Sequence, residues 1–285
     1  MKYELIRSYC KLNLFLDVGK KLKKNKLHNI QSLVFLINLY DKIKIKRIQK
    51  SKDQIKFSGA FAHHVKKKDN SIFRSLSLLR ESGHIKHNYN YNIEVKKQIP
   101  AFSGLGGGSS NSAAIIKYFM KKKKISLSGL NYFSRTLGSD FKLFFQSNQV
   151  FQKNLYKLEN IKRPLQFYFI IVYPFIKCST KEIYSNFNSY EKIKNKNYNL
   201  SSKVKMIECL KIKNNSLEKI VLRKFPKIVK ILNELNQIKY CQFSRITGSG
   251  SACFGLFLTK KSAELGLKKI KKKFPKYWCV IGKTI

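Results

Sequence analysis

From Lys11 to Val18 the chain alternates: Leu12, Leu14, Leu16 and Val18 fall on one face of a strand, and Lys11, Asn13, Phe15 and Asp17 on the other. The second face sets a cation beside an amide. Ile43 and Ile45 mark another strand in a lysine-rich setting. Asp69-Asn70-Ser71 is a helix start, followed by Ile72, Phe73, Leu76 and Leu79 at helical spacing. Ile93, Val95 and Ile99 predict a strand closed by Pro100. Then comes Gly104-Leu105-Gly106-Gly107-Gly108-Ser109-Ser110, and after it Ala113, Ile116 and Met120 recur at helical spacing, so the glycines join a strand to a helix.

The second half opens on a continuous apolar run, Phe167 to Tyr173, which reads as a buried strand. A loop rich in lysine and asparagine extends to about Ser202. Leu217 to Ile238 predicts one or two helices, interrupted at Pro226. A second glycine cluster, Gly248-Ser249-Gly250-Ser251, precedes a strand over Ala252 to Leu258, and a helix over 261–273 and a strand over 277–284 close the domain. The pattern is that of an α+β protein with two lobes, 1–155 and 156–285.

Composition adds three constraints. With 285 residues, 43% of them hydrophobic, the chain can bury a sizeable core. No stretch approaches the roughly 20 apolar residues needed to span a bilayer. The N-terminus, with Lys2 and Arg7 ahead of the alternating segment, is not patterned as a signal peptide, so no membrane association and a cytoplasmic location are expected. The six cysteines form no CxxC pair and have no histidine at metal-ligand spacing, which predicts reduced thiols.

The formal net charge of +44 raises the question of nucleic acid. The lysines are spread along the chain, at Lys20 to Lys26, Lys66 to Lys68, Lys121 to Lys124 and Lys268 to Lys273. They accompany abundant Asn, Ile, Phe and Tyr, all with A/T-rich codons. The charge therefore reads as codon bias and solvated surface rather than as a nucleic-acid interface, and it suits anionic small molecules.

The central glycine loop carries the chemistry. A strand–loop–helix unit presents backbone N–H groups and the positive end of a helix dipole, and glycines let the backbone come close to a phosphate. It is neither a GxxxxGK[ST] loop nor a dinucleotide fingerprint.

Pro100 through Ala114, PAFSGLGGGSSNSAA, resembles the ATP-binding motif of the GHMP kinases. The Lys11–Leu16 strand and the Thr247–Gly255 segment resemble the first and third motifs of one branch of that family. The three occur in the family's order and span Lys11 to about Phe257. The resemblance implies a ribosomal-protein-S5-domain-2-like N-terminal lobe and an α/β-sandwich C-terminal lobe. It implies ATP and Mg²⁺, and transfer of phosphate to the 2-hydroxyl of 4-diphosphocytidyl-2-C-methyl-D-erythritol in isoprenoid precursor synthesis by the non-mevalonate route. A homoserine or mevalonate type of acceptor, or a basic nucleic-acid-binding protein on a related fold, are the alternatives. The protein is expected to be a monomer or a homodimer.

By the same resemblance Lys11 and Asp140, in Gly138-Ser139-Asp140-Phe141, match the catalytic pair. Gly104, Leu105, Gly106, Gly107, Gly108, Ser109 and Ser110 match the phosphate loop, with Asn70 and Lys97 near the nucleotide. Asn13, His28, Thr180, Tyr184, Gly248, Ser249 and Gly250 match the acceptor site, His28 reading the cytosine edge and Tyr184 stacking on it. Read alone, Asn70 is an N-cap and Lys97 a solvated strand lysine. The sequence departs from the family at Phe102 and Ser103, where small residues are usual. It also departs at Asn111, which replaces a frequent aspartate, and at Asn25-Lys26-Leu27, where a glycine and an aromatic precede the histidine.

Overall fold

A computed structural model describes residues 2–23, 27–66, 68–120, 125–188, 193, 198 and 202–285. Lys24, Asn25, Lys26, Lys67 and Lys121 to Lys124, with the matching parts of the lysine clusters and of the departure before His28, lie outside the described residues.

The elements run β1 (Glu4–Lys21), β2 (His28–Ile48), β3 (Gln54–Ser58), α1 (Ser71–Glu81), β4 (Asn90–Lys96), α2 (Gly107–Met120) and α3 (Leu127–Leu137). There follow β5 (Gln149–Gln152), β6 (Leu158–Asn160), β7 (Tyr168–Tyr173), α4 (Thr180–Ser185), α5 (Lys203–Ile212) and α6 (Glu218–Lys224). The last are α7 (Lys227–Asn236), β8 (Ser244–Ile246), β9 (Cys253–Phe257), α8 (Lys260–Lys273) and β10 (Trp278–Lys283). The chain forms two compact units, each drawn from separate stretches. The first comprises 1–10, 39–101 and 106–145, and the second 11–38, 102–105 and 146–285.

In the first unit β4 runs antiparallel to the Lys42–Ile48 part of β2, and β3 lies parallel to β4. Ile43, Ile45, Ile93 and Val95 of this sheet are fully buried, as are Ile72 and Leu79 of α1 and Ile115 and Ile116 of α2. Each such side chain contributes about 1.5–3 kcal/mol by leaving water. Asn70 caps α1, its Oδ1 accepting from the N–H groups of Ile72 (3.1 Å) and Phe73 (3.0 Å).

In the second unit Ser32–Phe35 of β2 pairs antiparallel with β5, and β5 with β6. A separate antiparallel sheet has the order β10-β7-β9-β8. The run Phe169 to Val172 is fully buried because helices pack on this sheet. At Gly266 of α8 an added Cβ would lie 2.8 Å from Ile170 Cδ1 and 2.7 Å from Ile238 Cγ2, so the glycine lets the helix ride close to β7 without displacing those side chains. Pro226 separates α6 from α7, as expected. The segment expected as loop up to Ser202 contains α4, whose N-cap Ser179 accepts from the N–H of Glu182.

Candidate active site

In the second unit Lys11 and Asn13 stand on β1, 2% and 4% exposed. The Lys11 ammonium donates to Asn13 Oδ1. Asn13 Nδ2 donates to Ser32 Oγ at 2.8 Å, and its backbone N–H to Thr247 Oγ1 at 3.0 Å, which fixes the amide's orientation. Against this pair lies Gly248, at φ 55°. A Cβ there would come 3.2 Å from Lys11 Nζ and 3.3 Å from Asn13 Oδ1, so its absence leaves room beside both groups. Asn215 shapes the same turn, donating to the carbonyls of Ile246 (3.2 Å) and Gly248 (2.8 Å).

The glycine loop enters at Gly104, φ 80°, where a Cβ would collide with the Thr247 carbonyl oxygen at 1.9 Å. The Leu105 carbonyl accepts the N–H of Lys11 at 3.0 Å. The loop and the strand that carries the lysine are therefore joined through backbone.

Thr180 Oγ1 and Ser249 Oγ are 2.9 Å apart, bringing the α4 start to the second glycine cluster. Gly250 has φ 75°. His28 is 7% exposed, and its Nδ1 donates to the Gly19 carbonyl at 2.7 Å. Of the two neutral tautomers that bond selects the one whose Nε2 is an acceptor, and Nε2 is buried with no hydrogen-bond partner among the described residues. The Tyr184 ring lies 5.9 Å from the imidazole and Phe187 stands edge-on to it at 5.5 Å. Leu27 is half-exposed.

In the first unit α2 begins at Gly107, so Gly107 to Ser110 form its first turn rather than the loop before it. The first N–H groups of a helix have no intrahelical acceptor. A Cβ at Gly108 would meet nothing within 4 Å, and one at Gly107 would press on Ile99 Cγ2 (3.2 Å) and Lys97 Nζ (3.5 Å). This open backbone beside an ammonium fits a nucleotide's phosphates. Ser109 is half-buried, its Oγ 3.6 Å from where a Gly138 Cβ would be, so the helix start and the Gly138-Ser139-Asp140 turn are neighbours. Asp140, half-buried, opens a short 3-10 segment, Ser139–Phe145.

Ser110 differs from Ser109. It is buried, and its hydroxyl donates to the Tyr9 carbonyl (2.5 Å) and accepts from Ser8 (2.6 Å), tying α2 to β1. Lys97, read in isolation as a solvated lysine, is 3% exposed and forms an ion pair with Asp41. Asn70 Oδ1 is committed to its cap and its Nδ2 donates to the Lys66 carbonyl at 3.3 Å. Phe102, at φ 57°, is half-exposed, and Asn111 is buried with its Oδ1 unpartnered among the described residues.

Asp41, the buried partner of Lys97, carries no motif that marks it in the sequence. Its only signal is an acid between Tyr40 and Lys42 inside a strand. Among the described residues no group of three His, Cys, Asp or Glu side chains could hold a metal ion, and no helix is long and apolar enough to cross a membrane.

The family model described as "GHMP kinases N terminal domain" matches residues 70–140, and "GHMP kinases C terminal" matches 199–276. The chain is 35% identical, over 98% of its own length and 98% of the relative's, to the 4-diphosphocytidyl-2-C-methyl-D-erythritol kinase of Pelagibacter ubique. Its fold is similar to the crystal structure of a 4-(cytidine 5'-diphospho)-2C-methyl-D-erythritol kinase, with a TM-score of 0.73 and 21% identity, covering 99% of this chain and 100% of that one. It is similar also to homoserine kinase from Cytophaga hutchinsonii, with a TM-score of 0.69 and 15% identity, covering 100% and 95%.

Proposed function

The chain belongs to the GHMP kinases, in the 4-diphosphocytidyl-2-C-methyl-D-erythritol kinase branch, and we propose how its own residues carry out that transfer. It phosphorylates the 2-hydroxyl of 4-diphosphocytidyl-2-C-methyl-D-erythritol with ATP. Asp140 accepts the proton of the attacking hydroxyl. The oxygen lone pair attacks the γ-phosphorus, and the bond to ADP breaks. Lys11 stabilises charge on the transferring group. Asn13 orients the Lys11 ammonium, and the space left by Gly248 admits the acceptor beside them. The first turn of α2, Gly107 to Ser109, donates to the phosphates. Mg²⁺ would enter bound to the phosphates of ATP rather than to a protein cage, and would there neutralise phosphate charge.

His28 Nε2 accepts a hydrogen bond from an amino group, as the 4-amino group of cytosine offers, and Tyr184 supplies an aromatic face beside it. The enzyme acts on soluble small molecules in the cytoplasm, where ATP is supplied.

The observation that carries this reading is Lys11. A buried ammonium is costly unless a function or a partner retains it, and this one borders a gap that only glycine leaves. ADP release is the test, with 4-diphosphocytidyl-2-C-methyl-D-erythritol against homoserine, mevalonate, phosphomevalonate and no acceptor. Turnover is expected with the first alone. Asp140→Asn should lower kcat by about 10²–10⁴-fold while ATP still binds. Turnover of Asp140→Asn close to the parent's would remove that residue from the mechanism.

A further inference from the structure

Asp41 is 0% exposed and lies just beyond the last β2–β4 pair, Lys42 with Lys96. Its Oδ2 accepts from Lys97 Nζ. Its Oδ1 accepts from the backbone N–H groups of Gln98 (2.7 Å) and Ile99 (2.9 Å). One carboxylate thus fixes both the lysine and the chain that leads into the glycine loop. The Lys97 backbone is tied as well, donating to the Ser58 carbonyl at 2.7 Å. The ammonium so held lies 3.5 Å from the position of an absent Gly107 Cβ, at the first residue of α2. An ammonium has three donors, so the bond to Asp41 leaves others to give.

We propose that Asp41 is a positioning residue for nucleotide binding, setting the Lys97 ammonium at the start of α2, where it contacts ATP. The proposal rests on the reading of Gly107 to Ser109 as the phosphate cradle. A lysine alone in this buried place would swing out to water. The carboxylate keeps it in place. Its two backbone bonds hold Gln98 and Ile99, and Ile99 is the residue against which Gly107 packs.

The test is calorimetric titration of the acceptor-free enzyme with the β,γ-imido analogue of ATP and Mg²⁺, beside steady-state KM values. Lys97→Met tests the cradle reading: it should weaken the nucleotide about tenfold, and an unchanged Kd would overturn that reading and the proposal with it. Asp41→Asn should weaken the nucleotide about tenfold also, with the KM for the cytidyl acceptor within twofold of the parent's. An Asp41→Asn protein that binds the nucleotide as the parent does, while Lys97→Met does not, would overturn the role of Asp41 and leave the cradle standing. Asp41→Asn alone leaves a buried cation unpaired and can fail to fold. Lys97→Met with Asp41→Asn removes both charges, and its Kd should match that of Lys97→Met within twofold. A further tenfold loss in that pair would show Asp41 acting independently of the lysine and would overturn the proposal.

Discussion

Gly248 shows how much of this site depends on atoms the sequence leaves out. Its φ of 55° belongs to the left-handed region, and the Cβ it lacks would sit within 3.3 Å of Lys11 Nζ, Asn13 Oδ1 and the Gly104 carbonyl. Alanine there carries about 1 kcal/mol of backbone strain and fills the space beside the lysine. Gly248→Ala is expected to stay folded, with its thermal midpoint lowered by only a few degrees, and to lose turnover by about 10²-fold or more. Comparing circular-dichroism melting with ADP release checks this; full activity in the alanine variant would mean the acceptor lies elsewhere. Gly104 is different in kind. Its missing Cβ would overlap the Thr247 carbonyl at 1.9 Å, so the conflict is with backbone that cannot turn aside. Burial of thiols follows the same residue-level logic: it pushes the Cys178, Cys241 and Cys279 groups up to about 11, which keeps them protonated at neutral pH.

At the scale of elements, β8 shows what a three-residue strand can carry. Its Arg245 is buried, donating to the Leu14 carbonyl at 2.7 Å and to that of Leu210, with the guanidinium 4.1 Å over the Phe243 ring. Burial pulls this guanidinium down to about 10, opposed by the charge of Glu218, whose carboxyl burial in turn pushes up. Glu218 accepts the N–H of Ile246 at 2.9 Å. The strand, α5 and the β1 backbone next to Asn13 are thus pinned by one cation. Arg245→Met should cost about 3 kcal/mol in urea unfolding, because two buried carbonyls lose their donor and the Glu218 carboxylate loses the charge that faces it. A loss below 0.5 kcal/mol would refute that accounting. None of this was legible: Ser244–Ile246 is too short to show a period, and an arginine reads as surface until the carbonyls around it are known. Where periodicity persists the reading succeeded, as for α1 with its Asn70 cap, the Pro226 break, α8 and β10. In β2 only Ile43 and Ile45 show an alternation, because Leu33 to Ile37 are all buried and two-sided burial erases it. The Lys11–Asn13 face is legible for the opposite reason: Lys11, Asn13 and Asp17 interrupt the apolar run Leu12 to Val18, with Phe15 the one apolar residue on their side. Helix α2 began earlier than expected because Gly107 and Gly108 disfavour helix interiors yet suit a first turn that must stay open. Asp41 was missed because its role depends on Lys97, 56 positions away.

For the molecule as a whole the dominant quantity is charge. Fifteen acidic residues cannot pair 59 basic ones, and the formal net charge is +44. The ion pairs include a buried one, Lys97 with Asp41, and more exposed ones such as Lys260 with Glu264 and Lys273 with Glu234. Exposed pairs contribute about 0–1 kcal/mol each, whereas repulsion among the remaining lysines acts over the Debye length, about 30 Å at 0.01 M salt and about 8 Å at 0.15 M. Salt therefore screens more repulsion than attraction. The thermal midpoint is expected to rise by about 4–8 °C between 10 mM and 300 mM NaCl, equivalent to about 2 kcal/mol for a chain of this size. Potassium chloride at equal ionic strength should reproduce the shift, since screening does not depend on the ion's identity. MgATP at fixed salt should add a further increment set by its own Kd, because a ligand of the folded state stabilises by mass action. A midpoint that falls as NaCl rises would mean that the ion pairs outweigh the unpaired lysines, and the basic surface would then be part of what holds the fold together.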